Sequence, residues 1–385
     1  MRSMLSPLDD YPIHQAAEVM RHAATSDRNF YDRYYFNLYT TAGDLFCVFG
    51  LGQYPNLGTT DAFVCVTRDS VHRVARASKE LGADRMDLAV GSLRVEVIEG
   101  LRRLRVVCEP GDAATAAGVE IDAVFDGVIP AHLEPRHYRR DLGRVTFDTQ
   151  RLAQTGRWQG HLKVGSEDFE LDPDHWWGYR DRSWGVRPVG EAEPPGIKAG
   201  RPPGTFFWLY APLQFADHSY LVMVQEERDG SRFLEHAVRL WNDGRTEDLG
   251  RPRHDVEFVA GTRAPKRATL HVTEPNGTPL EIYVEPVLPC YLMKGTGYGV
   301  EPDWRHGMWQ GAQKEQGLSW DLTDPEIQRG LFGLAEYSSR AETSRGEQGY
   351  GMFEFACVGP HDRYGFEGFE DMGLLPPPSG VNPGD

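Results

Sequence analysis

Cysteine is scarce in this chain and poorly placed for a framework. The five cysteines, Cys47, Cys65, Cys108, Cys290 and Cys357, are an odd number spread over 385 residues with no C-x-x-C pair. That excludes a disulfide-stapled scaffold and leaves neither a redox dithiol nor a thiolate metal site. The thiols are expected to be reduced and mostly buried. Long apolar runs are missing too: none approaches the roughly 20 residues that span a bilayer as a helix. The first residues, MRSMLSPLDDYPIHQ, lack the continuous apolar stretch of a secretory signal. A soluble, cytoplasmic protein without an integral membrane segment is the expectation. Basic residues are in deficit, with 41 Lys and Arg against 57 Asp and Glu and a formal net charge of −16. Such a surface repels phosphate backbones and anionic headgroups, so nucleic acid is not an expected partner.

Familiar catalytic signatures are absent as well. No G-x-S-x-G elbow occurs, which removes the strongest sign of serine hydrolase chemistry. In FGLGQYPNLG, Phe49 to Gly58, Pro55 stands where a dinucleotide fingerprint needs its third glycine and would break the helix that receives the pyrophosphate; the stretch reads as a turn. His132 and His137 in HLEPRH flank Pro135 and cannot share a helical face as in H-E-x-x-H, so no metal is expected there. Nothing in the chain calls for a cofactor.

What is present is mainly period two. In VEIDAVFDG, Val119, Ile121, Ala123 and Phe125 alternate with Glu120, Asp122, Val124 and Asp126, the pattern of a strand with one dry face. Asn276-Gly277 and Asp229-Gly230 each sit between such runs and predict antiparallel hairpins with type I′ turns. Pro12 to Ala24 fits a helix, whereas DSVHRVARASKEL, Asp69 to Leu81, fits helix and strand equally. The length favours two domains over one large β-domain, and the Pro/Gly-dense run PVGEAEPPGIKAGRPPG, Pro188 to Gly204, is the best boundary. The pattern G-x-W-Q-G occurs twice, at 156–160 and 307–311; the echo is compatible with a repeated barrel corner. The tail PPPSGVNPGD is expected to be extended or disordered.

The densest chemistry lies in WWGYRDRSWGVRP, Trp176 to Pro188. As a strand it places Tyr179, Asp181 and Ser183 on one face and Gly178, Arg180, Arg182 and Trp184 on the other. Two readings follow. In one, Asp181 faces an apolar cavity, burial raises its pKa, and it donates a proton while aromatic faces stabilise a cation. In the other, Asp181 pairs with an arginine of a neighbouring strand, and Arg180 or Arg182 stacks on Trp184 to cap a barrel end.

This stretch, the following FFWLYAPLQFADHSYLVM, NFYDRYYFNLYTTAG with GQYPN near the front, both G-x-W-Q-G segments and SRGEQGYGMFEF near the end resemble the superfamily of carotenoid 1,2-hydratase (hydroxyneurosporene synthase) and tocopherol cyclase. The resemblance spans about Asn29 to Phe355. Arg182 stands where the carotenoid hydratase branch often has histidine, so no proton relay carries over to that position. It implies two tandem lipocalin-like antiparallel β-barrels, here 26–188 and 205–374, with a helical segment at 1–25, a linker at 189–204 and a tail at 375–385. It also implies redox-free chemistry on lipophilic molecules such as carotenoids, prenylquinols and polyketides.

The leading expectation is therefore a cofactor-independent hydratase, cyclase or isomerase acting on a small hydrophobic molecule of isoprenoid, steroid or polyketide type. Asp181 is the acid and His175 its partner; Trp176, Trp177, Tyr179, Trp184, Trp208, Tyr210 and Trp309 are the pocket wall. The alternative is a lipophile carrier with the same barrels and no turnover. A third option moves the site to WRHGMWQG, Trp304 to Gly311, with His306 as acid or base.

Overall fold

Asp69 at φ 49° and Ser70 at φ 60° turn the chain back on itself between Arg68 and Val71. Both central residues of this two-residue loop are left-handed, as a type I′ turn requires, and aspartate tolerates that conformation better than most side chains. The turn makes Val71–Glu80 a strand paired with Thr59–Arg68, which resolves the segment that fits helix and strand equally. The two predicted hairpins are present, Pro265–Thr273 with Pro279–Cys290 and His218–Glu226 with Arg232–Trp241. Their turns differ from expectation. Only Gly277 and Gly230 take positive φ, 85° and 79°, and each glycine N–H donates back three residues, to Glu274 and Glu227. These are longer loops closed by a left-handed glycine, so Asn276 and Asp229 escape the strained region.

The computed structural model describes residues 10–12, 19, 21–196, 199, 204–299, 301–369 and 372–375. Most of the helix expected at 12–24, part of the linker and the tail from 376 lie outside the described residues.

The chain is mainly β. Among the described residues, one antiparallel sheet of 14 strands runs in the order Gln313–Asp321, Val71–Glu80, Thr59–Arg68, Phe46–Tyr54, Phe30–Thr40, Trp176–Val186, Arg144–Val164, Val119–Gly127, Arg103–Cys108, Leu93–Glu99, Ala89–Val90, with three short strands added on Arg144–Val164. A second sheet of nine strands runs Thr246–Asp248, Arg232–Trp241, His218–Glu226, Phe206–Gln214, Gln348–Val358, Ala335–Thr343, Pro279–Cys290, Pro265–Thr273, Arg253–Phe258. Both sheets curl into half-barrels of lipocalin-like kind. Opposite edges of the first are joined by Glu315, whose carboxylate accepts from the backbone N–H and the hydroxyl of Ser92 at 3.1 Å each. The strand carrying Glu315 lies within the stretch expected for the second barrel, yet it pairs along Val71–Glu80 of the first sheet.

Each half-barrel is filled. In the first, Phe36 meets Trp158 edge-on at 6.0 Å and Phe125 at 6.3 Å. Gly178 makes room for that indole, since a Cβ there would sit 2.3 Å from Trp158 Nε1, which donates to the Asn37 carbonyl at 2.9 Å. The second is packed around Leu209, Tyr220, Phe353 and Phe355. A third apolar cluster, including Tyr35, Tyr179, Trp208, Tyr210 and Met352, joins the outer faces of the two sheets. All five cysteines are buried and free. The G-x-W-Q-G echo has no structural counterpart: Gly156–Gly160 is strand around a fully buried Trp158, whereas Gly307–Gly311 is loop with Trp309 51% exposed. No described helix is long and apolar enough to cross a membrane.

Candidate site between the two sheets

The strand Trp176–Val186 lies mid-sheet, antiparallel to Phe30–Thr40 on one side and Arg144–Val164 on the other. Strand alternation splits its residues between two environments. Arg180 and Arg182 point into the first half-barrel, where each finds a carboxylate: Arg180 pairs with Asp10 at 2.5 Å, and Arg182 pairs with Asp32, which Arg85 also reaches at 3.2 Å. Arg182 stacks on Tyr34 at 4.3 Å, and Trp184 is not its partner. Tyr179, Asp181 and Ser183 face the other way and line a cavity of about 1070 Å³. Its opposite wall comes from the second sheet, including Trp208, Met223, Glu336, Met352 and Glu354. The hollow is therefore between the half-barrels, apart from the apolar clusters that pack each interior.

Asp181 is 9% exposed and makes no ion pair within 4 Å among the described residues. Burial pushes its pKa up to about 6; the nearby Arg151 opposes the rise and Glu134 adds to it. A hydroxyl chain leads away from it: Tyr179 Oη lies 3.4 Å from the carboxylate and 2.9 Å from Tyr210 Oη. Tyr210 donates to Glu134 at 2.6 Å, and Arg151 holds Glu134 at 2.5 Å. Asn37 fixes the start of the chain, its Oδ1 accepting the Tyr179 N–H at 2.8 Å and its Nδ2 donating to Met352 Sδ at 3.0 Å.

Two further carboxyls share the cavity. Glu354 is pushed up to about 7, by burial first. Glu336, which accepts from Tyr35 Oη, is held well above the carboxylate range by burial and by the charge of Glu354. A cluster of protonatable acids in a low-dielectric hollow results from desolvation and like-charge repulsion together. Sequence reasoning missed Glu354 and Glu336, and also Glu134 and Arg151. The signal for Glu354 was legible, because a lone acid between Phe353 and Phe355 on a period-two strand must face the side opposite to its neighbours.

The other expected site residues fall in several places. Trp208 lines the cavity. Tyr210 stands behind the lining, in the hydroxyl chain. Trp177 is edge-on to Tyr350 at 5.2 Å, under Arg157 at 4.1 Å, and Trp176 packs on Phe169 at 5.9 Å inside the first half-barrel. Trp184 is half-buried outside the lining, and Trp309 is exposed. His175 has a side chain 72% exposed, bonded to Asp172 at 2.8 Å. Six extended residues, about 20 Å, separate it from Asp181, so the structure does not bring the two together. His306 does line the cavity, so two regions that the sequence offers as separate sites are walls of one hollow. Burial lowers its pKa to about 3, with Arg33 reinforcing the effect, and it is neutral at physiological pH. The Pro/Gly-rich segment is also part of the site: Pro188 to Gly196 border the cavity, held by Asn29 on Glu193 at 2.7 Å.

Among solved structures, the chain is similar to an AttH candidate from Nitrosomonas europaea, at 13% identity over 86% of this chain and 94% of that one, with a TM-score of 0.49. It is similar to kievitone hydratase from Nectria haematococca, at 13% identity over 90% and 97% with a TM-score of 0.42. A third likeness is to CghA, at 9% identity over 92% and 96% with a TM-score of 0.47. No curated protein matches the chain. The model of a family of unknown function, DUF8625, matches residues 5–367, and the chain belongs to that family.

Proposed function

We propose that this protein is a cofactor-independent hydratase, cyclase or isomerase that binds a lipophilic isoprenoid, steroid or polyketide-like molecule between its two half-barrels and acts on it by proton transfer from Asp181. The observation that carries the reading is a buried carboxyl with no ion pair among the described residues, raised to about 6, on the wall of a cavity of about 1070 Å³. An acid tuned toward neutrality both holds a proton and gives it up readily. Protonation of a substrate double bond by Asp181 leaves a carbocation and the Asp181 carboxylate. Water then adds and sheds a proton, or an internal π bond closes a ring and the new cation loses an adjacent C–H proton, or a neighbouring C–H is lost directly; each path releases one proton, which returns to the carboxylate. Tyr179 and Trp208 offer π faces to the positive charge, and the hydroxyl chain through Tyr210 to Glu134 gives the proton a route.

The resemblance of the R-D-R-S-W-G stretch to the carotenoid hydratase and tocopherol cyclase superfamily supports the same chemistry. A carrier would use the cavity without Asp181. Solvent extraction of the purified protein, with mass spectrometry of what co-purifies, supplies the substrate. Incubated with that compound, Asp181→Asn should lose about 10²- to 10⁴-fold in turnover, the usual worth of a general acid, while still retaining the ligand. Equal product formation by both proteins would remove Asp181 from the acid's role, and none by either with the ligand intact would favour the carrier.

A further inference from the structure

Most large buried cations in this protein have a visible counter-charge. Arg180 has Asp10, Arg182 and Arg85 share Asp32, Arg151 has Glu134 and Arg76 has Glu301; the partners of Arg263 include the carbonyls of Cys357, Gly359 and Gly368. Arg33 is the exception. It is 3% exposed, its Nε and Nη2 are buried without a hydrogen-bond acceptor, and no carboxylate lies within 4 Å among the described residues. A guanidinium keeps its charge in any protein environment, and burying one without a counter-ion is strongly unfavourable.

Two acids act on it by charge, Asp61 and Asp181, and neither makes an ion pair with it among the described residues. Asp61 is already engaged, accepting from Tyr54 Oη at 3.1 Å and from the Gly307 N–H at 2.7 Å. What Arg33 does touch is the ring of Tyr298, 4.8 Å away, and Arg187 lies over the same ring at 5.6 Å. Arg187 also has no ion pair within 4 Å among the described residues. All three residues line the cavity, as does His306, whose buried Nε2 has no partner. Aromatic faces attract a cation but accept none of its N–H groups.

We propose that Arg33, with Arg187 beside it, receives the anionic head of the bound molecule, a carboxylate or an acidic enol, and that the ligand is therefore an amphipathic organic acid with an apolar body. The inference rests on the reading that the cavity is the ligand site, and it adds the polar half of that ligand. The planar fork of a guanidinium matches a planar two-oxygen anion. Strand geometry separates the head from the reacting end: Arg33 lies opposite Ser183 across the strand pair, and Tyr35 lies opposite Asp181. A head held at Arg33 thus leaves the body running past Asp181 toward Met352 and Trp208.

The test compares two probes of equal length, dodecanoate and dodecanol, by calorimetric titration of the full chain. Wild type should bind the acid about tenfold or more tightly than the alcohol, the scale of a charge-assisted pair. Arg33→Gln should remove that preference while leaving the alcohol's affinity unchanged, and Arg33→Lys should restore part of it. Should Arg33→Gln fail to fold, Arg187→Gln, at a half-buried position, should reduce the preference. Equal affinities in wild type, or a preference that survives both glutamine variants, would overturn the anion subsite and leave the cavity reading standing. Binding of neither probe would overturn both. Asp181→Asn separates this inference from the catalytic proposal, since it should keep the acid preference whether or not it lowers turnover.

Discussion

The two faces of one strand, Trp176–Val186, carry the same kinds of residue and put them to different uses. On the inner face Arg180 and Arg182 are as buried as side chains become, and carboxylates meet them directly. On the outer face Asp181 is nearly as buried but is met by a distant tyrosine hydroxyl and by the fields of Arg151, Arg33 and Arg187, opposed by that of Glu134. Paired charges in a core are structural, because removing one partner strands the other. An unpaired acid shifts its pKa instead and becomes available for chemistry. Three residues of one motif thus serve two purposes, and period two decides which residue serves which.

That contrast breaks most readily at Arg182. Arg182→Leu removes one of the two guanidiniums facing Asp32 and should lower unfolding stability by about 3–5 kcal/mol, measured by denaturant titration. A loss under 1 kcal/mol would mean the inner face is not an ion-pair core.

Asp181→Asn should do the reverse. The folded pKa of about 6 lies above the ~3.9 of an unfolded aspartate, so between those values the folded chain keeps a proton that the unfolded chain releases. Wild-type stability therefore falls as pH rises from about 4 through 6. The uncharged variant escapes this loss: it should match wild type below pH ~4 and exceed it by up to about 2–3 kcal/mol above pH ~6. Glu354 and Glu336 add slopes of their own, and comparing the two proteins at each pH subtracts most of that. A variant less stable than wild type at pH 7.5 would place Asp181 among the structural charges.

The smallest effect belongs to Trp309. Being half exposed, it should tolerate alanine within about 0.5 kcal/mol and with unchanged ligand retention. A larger loss of binding would extend the site beyond the cavity.

How much of this was legible in the chain follows from what periodicity encodes. Alternation gave the β class, the hairpins and the face shared by Tyr179, Asp181 and Ser183, because a strand's side-chain directions are fixed by its backbone. It did not say which face of the sheet was interior, and here both are dry. Trp176 and Trp177 look equivalent in sequence; one fills the first half-barrel and the other packs between the sheets. His175 sits just before the strand, where the chain turns to the surface, and proximity in sequence said nothing of the 20 Å run that follows. Arg33 and Glu336 reach the cavity through long-range pairing, with Tyr35 opposite Asp181 and Glu336 opposite Cys290, which no local pattern specifies. The type I′ turn expected at Asn276-Gly277 occurs instead at Asp69-Ser70, because loop length, set by the register of the flanking strands, selects the turn.

The central claim is that Asp181 exchanges its proton close to neutrality. Carboxyl-selective ¹³C NMR of the labelled protein, with Asp181→Asn to identify the resonance, measures this without any knowledge of the substrate. A midpoint near 6 is predicted; a midpoint at or below about 4, the value of an ordinary aspartate, would contradict it.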